Sequence, residues 1–146
     1  MNSLPWTMAR LRRIALNVIA IGLASHAIGA SSQELKIVLS GSQEIPPVTT
    51  TASGTASITV NADKTVTGNA TIAGMAVTVA HIHEGATGSN GPIILPLVKT
   101  ADNVWSVPPG ARLSDAQYDS YKAGNLYFNI HSEAHRSGEI RGQIKR

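Results

Sequence analysis

The chain has 146 residues, of which 12 are Lys or Arg and 9 are Asp or Glu, and it contains no cysteine. This length suits a single domain. The lack of cysteine excludes disulfides, thiolate metal sites and cysteine nucleophiles, so any metal would need nitrogen or oxygen ligands.

Residues 1–30 have the pattern of a secretory signal peptide. Three arginines give a basic start, Ile14–Leu23 is an apolar run, and small residues follow as far as Ala30. The apolar run is too short to cross the roughly 30 Å hydrocarbon core of a bilayer as a stable helix, although an uncleaved membrane anchor is the alternative. Cleavage after Ala27 or after Ala30 would leave a small residue at the cut. We therefore expect an exported protein, periplasmic or extracellular, with no stable membrane span after cleavage.

The charge balance argues against a nucleic-acid partner. Cleavage removes three of the twelve basic residues and no acidic one, which leaves nine of each. The remaining sequence also has no basic stripe interleaved with aromatic residues, so nucleic-acid binding is not expected.

The mature segment, residues 31–146, is predicted to form one all-β domain. Thr55–Val60 alternates apolar and polar residues, and a polar turn at 61–64 joins it to Thr65–Ile72, which is typical of a β-hairpin. Five further short runs have β-rich composition: Leu35–Leu39, Val77–His83, Ile93–Val98, Asn125–His131 and Glu139–Lys145. Seven short strands in a domain of this size indicate a Greek-key β-sandwich or barrel.

One short helix is predicted within this pattern. Ser114 and Gln117 fit a capping box at its start, and Gly124 provides the permissive residue after its end. Three side chains are expected to pack the helix onto the sheet: Leu113, Ala116 and Tyr121.

Four histidines of the mature segment fall into two groups, His81 with His83 and His131 with His135. Residues i and i+2 of a strand project from the same face, so His81 and His83 are expected to converge. In the later strand the apolar residues at 126, 128 and 130 must face the core, which places His131 on the more polar face. Neighbouring strands would bring three imidazoles together, and His135 in the following loop is a candidate fourth ligand. Taken singly, each histidine could equally be solvated or hydrogen-bonded.

Imidazole ligands suit copper or zinc and are poor ligands for calcium or magnesium. Three histidines with an open position would also suit a catalytic zinc. Residue chemistry alone does not separate the two metals.

Charged residues near the histidines have two interpretations each. Glu84, Glu133 and Glu139 could orient the imidazoles, but solvated surface carboxylates are the preferred interpretation. Arg136 and Arg141 could attract a small anion, and for Arg141 an ion pair with Glu139 or another carboxylate at an exposed edge is preferred. The glycines at 85, 88 and 91 are expected to permit tight turns.

Four segments, in order, are similar to successive blocks of the CHRD (chordin-type) domain family: 39–56 (LSGSQEIPPVTTTASGTA), 80–94 (AHIHEGATGSNGPII), 123–132 (AGNLYFNIHS) and 137–144 (SGEIRGQI). This resemblance implies an immunoglobulin-like or superoxide-dismutase-like β-sandwich, and the family pattern includes His81, His83 and His131. HIHEG and the later NIH also resemble, more weakly, the copper site of the copper/zinc superoxide dismutases. The chain lacks both cysteines of the usual dismutase disulfide and an evident zinc site.

Two functions follow as hypotheses. The first is an exported domain that binds copper, with zinc as the alternative ion, through His81, His83, His131 and His135. An open copper position would allow superoxide dismutase-like redox activity on a small anion such as superoxide. The second is a non-catalytic extracytoplasmic module that binds a protein or another ligand. Whether the protein is an enzyme depends on the metal.

Overall fold

The computed structural model describes residues 32–146, and the predicted signal peptide at residues 1–30 lies outside this part of the chain. The described chain forms nine strands, one α-helix and a 3-10 turn at Gly41–Gln43. The strands are β1 (Leu35–Ser40), β2 (Ser53–Val60), β3 (Val66–Ala73), β4 (Val77–Glu84), β5 (Ile93–Pro96), β6 (Val98–Ala101), β7 (Val104–Ser106), β8 (Leu126–Ser132) and β9 (Ile140–Ile144), and the helix is α1 (Asp115–Lys122). Between residues 32 and 146 there is no helix with the length and apolar character that a membrane crossing requires.

The nine strands form one antiparallel sheet in the order β5-β4-β8-β9-β1-β2-β3-β7-β6. The two edge strands, β5 and β6, follow each other in the chain and are separated by Leu97 alone. The sheet therefore curls until it nearly closes. This confirms the predicted all-β sandwich or barrel with one short helix.

The core lies inside the curled sheet because the apolar residues alternate along each strand. In β2, for example, Ala56, Ile58 and Val60 are buried while the intervening residues are not. Phe128 and Ile82 come from the opposite half of the sheet and are completely buried in the same cluster. Burying each large side chain of this kind stabilises the fold by about 1.5–3 kcal/mol.

The predicted hairpin is confirmed by the pairing of β2 with β3, from Ser53 opposite Ala73 to Val60 opposite Val66. The predicted strand at 93–98 is instead divided at Leu97, whose amide N–H donates to the carbonyl of Ala80. Leu97 is buried, and the chain passes there from one sheet edge to the other. Residues 99–101 of β6 and the whole of β7 were not predicted, and the three residues of β7 are too few to show an alternating pattern.

Helix α1 begins with the predicted capping box. The Ser114 hydroxyl accepts from the Gln117 amide N–H, and the Gln117 side chain accepts from the Ser114 amide N–H. Gly124 has a φ of +75°, the left-handed conformation that ends many helices. Leu113 and Tyr121 pack into the core as expected, but Ala116 is exposed and Tyr118 packs against the core instead.

Every residue of β8 is buried, on both faces of the strand. The inner face supplies Leu126, Phe128 and Ile130 to the core. The outer face carries Tyr127, Asn129 and His131, and it is covered by other parts of the chain instead of by solvent. This covered polar face contains the candidate site.

Candidate metal-binding site

Three of the predicted histidines meet on the covered face. His81 and His83 lie on β4, and His131 lies on the neighbouring strand β8. One ring nitrogen of each lies within 4.8 Å of the corresponding nitrogen of the others. Among the described residues, these three histidines form the group of His, Asp or Glu side chains that are close enough together to hold one metal ion.

Backbone carbonyls fix the orientation of two of these imidazoles. His83 Nδ1 lies 2.9 Å from the carbonyl oxygen of Gly91, and His131 Nδ1 lies 2.9 Å from that of Arg136. A carbonyl can only accept, so both Nδ1 atoms carry the proton and both Nε2 atoms present a lone pair. This is how metal-binding histidines are commonly held.

The Nε2 atom of His83 is buried and has no hydrogen-bond partner within residues 32–146. An unsatisfied buried polar atom costs about 1–3 kcal/mol. A metal ion held by the three histidines would satisfy this atom.

His81 and His131 lie close enough together for both to bind one metal ion. His81 Nδ1 and His131 Nε2 are 3.3 Å apart. With metal–nitrogen bonds of about 2.0–2.1 Å, two atoms at this spacing subtend roughly the tetrahedral angle at the ion. In the metal-free protein His81 Nδ1–H donates to His131, so ion binding would require His81 to carry its proton on Nε2.

The environment favours the neutral imidazoles that bind metals. Burial lowers the pKa of His81, and the nearby His131 and His83 lower it further. Burial also lowers the pKa of His83, and this effect outweighs the opposing hydrogen bond to Gly91. Both rings therefore take up a proton at a lower pH than an ordinary histidine does.

The glycine-rich loop at 85–91 contacts His83 and has glycine where the backbone requires it. A Cβ atom at Gly91 would lie 1.7 Å from the carbonyl oxygen of Glu84, so no side chain fits there. Gly88 has a φ of +84°, which favours glycine in the turn. The Gly91 amide N–H donates to the Tyr127 hydroxyl at 3.0 Å, which ties the loop to β8. The expected structural role of these glycines agrees with this geometry.

Arg141 is buried beneath this loop, and the prediction of an exposed ion pair was wrong. Only 2% of its surface is exposed. Its guanidinium donates to the Ser89 carbonyl at 2.9 Å and to the Asn90 side-chain oxygen at 3.1 Å, and it packs on the Tyr127 ring. The loop carbonyls and the ring replace the carboxylate that sequence reasoning expected.

The acidic residues occupy different environments. Glu133 is exposed and pairs with Arg136, as a surface carboxylate would. Glu139 is buried and accepts from Thr50 and Ser132, so the surface interpretation was wrong for it. Glu84 is half-buried and accepts from the Ser120 hydroxyl.

Glu44 is a buried carboxylic acid near the site that sequence reasoning missed. It accepts from Asn129, whose backbone lies opposite His81 in the sheet. Burial raises the pKa of Glu44 to about 7, despite the opposing effects of Asn129 and Arg141. Glu44 follows a 3-10 turn in an irregular segment, so no periodicity in the sequence marked it as buried.

His135 is not a member of the three-histidine group within residues 32–146. It lies in the turn after β8, where its amide N–H donates to the Ser132 hydroxyl. His135 adds to the hydrogen bonds from Ser132 and Thr50 that hold the pKa of Glu139 below its usual value.

The family comparison covers the whole described sheet. The CHRD domain model matches residues 35–144, from the first residue of β1 to the last residue of β9. Neither the curated proteins nor the solved structures include a match. Since the match spans most of the chain, this protein belongs to the CHRD domain family.

Proposed function

We propose that this protein is an exported CHRD domain that binds one copper ion through His81, His83 and His131. The observation that carries the proposal is the buried Nε2 atom of His83, which has no hydrogen-bond partner among the described residues. The hydrogen bond from Nδ1 to the Gly91 carbonyl fixes the ring, so the Nε2 lone pair stays free to bind an ion together with His81 and His131.

Copper is preferred over zinc on ligand chemistry. Nitrogen sites generally bind Cu²⁺ more tightly than Zn²⁺, and imidazole suits both copper and zinc. His81 is only partly buried, so the cluster is approached from the His81 side while His83 and His131 are covered.

Copper held by His81, His83 and His131 would supply the one-electron chemistry that the dismutation of two superoxide ions, with two protons, to dioxygen and hydrogen peroxide requires. The protein's contribution is to hold neutral imidazoles in place and to cover the inner side of the cluster. Arg136 lies next to the site through its carbonyl, but its guanidinium pairs with Glu133, so anion steering is not assigned to it.

Metal titration of the purified protein tests the binding proposal. We expect one copper per chain, and zinc bound more weakly, with both lost in the His81→Ala/His83→Ala variant. His135→Ala is the matched control, because His135 lies outside the three-histidine group of residues 32–146. Equal copper binding by the wild type and the double variant would refute the site. Copper lost equally in His135→Ala would show that a fourth ligand is required.

Export is tested separately. We expect the protein in the periplasmic or extracellular fraction, with a new N-terminus after residue 27 or residue 30. Retention of an intact chain in the membrane fraction would support the anchor instead.

A groove on the outer face of β1 and β2 favours a second candidate function, that of a non-catalytic protein- or ligand-binding module. Lys36, Val38, Thr55 and Ser57 line it, and Val38 is 67% exposed. A ligand bound there should be lost in Val38→Asp and retained in the His81→Ala/His83→Ala variant.

A further inference from the structure

Tyr127 packs between His83 and Arg141. Its ring is nearly parallel to the His83 imidazole, at an angle of 14° and a centroid distance of 4.9 Å. The Arg141 Cζ atom lies 3.5 Å from the centroid of the Tyr127 ring. Because β8 lies between β4 and β9 in the sheet, the imidazole and the guanidinium lie on opposite sides of this ring.

Arg141 brings a buried positive charge, and no carboxylate of the described residues contacts it directly. Its partners are the Ser89 carbonyl and the side-chain oxygens of Asn90 and Gln143, all neutral. No ion pair within residues 32–146 includes Arg141. A guanidinium does not lose its proton in a protein, so this charge is permanent.

We infer that Arg141, acting across Tyr127, favours Cu(I) over Cu(II) at the histidine site and thereby raises the reduction potential of the copper. The inference rests on the proposed function. Cu(II) carries one more positive charge than Cu(I), so a fixed cation repels it more strongly. At an effective dielectric constant of about 20, one unit charge across an aromatic ring changes the Cu(I):Cu(II) affinity ratio by about tenfold. A tenfold ratio corresponds to 59 mV for one electron.

Tyr127 is a positioning residue in this arrangement. Its ring occupies the space between the charge and the ligand, and only 2% of its surface is exposed, so water does not enter to screen the charge. Its hydroxyl also accepts from Gly91, whose carbonyl accepts from His83. The same side chain therefore holds both the loop and the ligand.

Asn90→Asp tests the charge with little change in shape. The Asn90 side-chain oxygen already accepts from Arg141 Nη1 at 3.1 Å, so a carboxylate there would neutralise the guanidinium in place. Asn90→Ser is the matched control, because both variants remove the Asn90 amide bond to the Ile45 carbonyl and only one adds charge. Arg141→Met is a second variant that removes the cation itself.

The measurement is the reduction potential of the copper-loaded full protein, followed by the Cu(II) EPR signal in a mediated redox titration. Cu(I) and Cu(II) affinities from chelator competition provide an independent ratio. We expect Asn90→Asp and Arg141→Met each to lower the Cu(I):Cu(II) ratio about tenfold, equal to 59 mV, and Asn90→Ser to change it less than twofold.

Two results would overturn the inference. One is a ratio within twofold of the wild type in folded Asn90→Asp, which keeps the test valid even if Arg141→Met fails to fold. The other is an equal shift in Asn90→Ser, which would assign the effect to the lost amide and not to the charge. A wild-type protein that binds no copper would refute the proposed function and this inference with it, whereas bound copper with an unchanged ratio refutes the inference alone.

Discussion

The buried carboxylic acid of Glu44 should make stability depend on pH, and Glu44→Gln should remove that dependence. The side chain is 6% exposed and accepts from Asn129, which an uncharged glutamine oxygen can also do. Burial raises its pKa in the folded protein from 4.5 to about 7. The folded state therefore binds this proton more tightly than the unfolded state does.

The direction and size of the pH effect on stability follow from this difference in pKa between the folded and unfolded states. The stabilising contribution of the protonated acid is complete below pH 4.5, declines as the pH rises, and is lost once the pH passes about 7. The full difference corresponds to about 3 kcal/mol at most, and solvent screening reduces this to about 1–2 kcal/mol. We expect Glu44→Gln to match the wild type near pH 4.5 and to be more stable by about 1–2 kcal/mol at pH 8.

Urea denaturation of metal-free protein at several pH values between 4.5 and 8 measures this free energy of unfolding. Taking the difference between variant and wild type at each pH cancels the titration of the histidines. Glu139→Gln is the matched control, since Glu139 is also 6% exposed. Burial acts to raise the pKa of Glu139, but hydrogen bonds from Ser132 and Thr50 outweigh it and hold the pKa below its usual value.

The two variants should therefore change stability in opposite directions at pH 8. The ionised Glu139 stabilises the fold above pH 4.5 and loses this effect as the pH falls through its lowered pKa, so Glu139→Gln should destabilise at pH 8. A Glu44→Gln difference that is the same at pH 4.5 and pH 8 would refute the reasoning, as would destabilisation at pH 8.

Two further predictions concern the site. Because burial lowers the pKa of His81 and His83, metal affinity should persist as the pH falls to 6.5 and decline only below that pH. Zinc competition titrations from pH 8 to pH 5 measure the affinity. A decline that begins above pH 6.5 would contradict the prediction. Gly91→Ala should destabilise the fold by about 3 kcal/mol or more and weaken metal binding, because its Cβ would overlap a backbone carbonyl. Gly88→Ala, at a positive φ with open space around it, should cost about 1 kcal/mol and leave metal affinity unchanged. Urea denaturation and metal titration compare the two glycine variants, and equal effects would show that the loop does not position His83.

Sequence periodicity predicted most strands because the apolar residues that alternate along a strand are the ones whose side chains face the core. Ile58 and Phe128 mark the inner faces of their strands, and both are in the core. The i, i+2 spacing of His81 and His83 predicted a shared face, and the structure brings both to His131. These inferences needed only local geometry and the assumption that the two strands are neighbours.

Periodicity did not predict the burial of the outer face. Tyr127 and Asn129 alternate with core residues and so resemble a solvated face, yet both are buried. Arg141 resembled a surface cation for the same reason. What covers them is distant in sequence, namely the loop at 85–91 and the segment around Glu44. Contacts between irregular segments leave no repeating pattern, and these contacts determine the electrostatics of the site.

The near-closure of the sheet has a consequence for how the protein meets other chains. A free strand edge offers unpaired amide and carbonyl groups to which another molecule can add a strand. Here both edges are four residues long and come from one segment, joined through the buried Leu97. If this segment detached to expose a longer neighbouring strand at one edge, the edge strand on the other side of the sheet would detach with it. Aggregation by strand addition is thus disfavoured, and a partner protein would have to recognise side chains on the outer surface of the sheet.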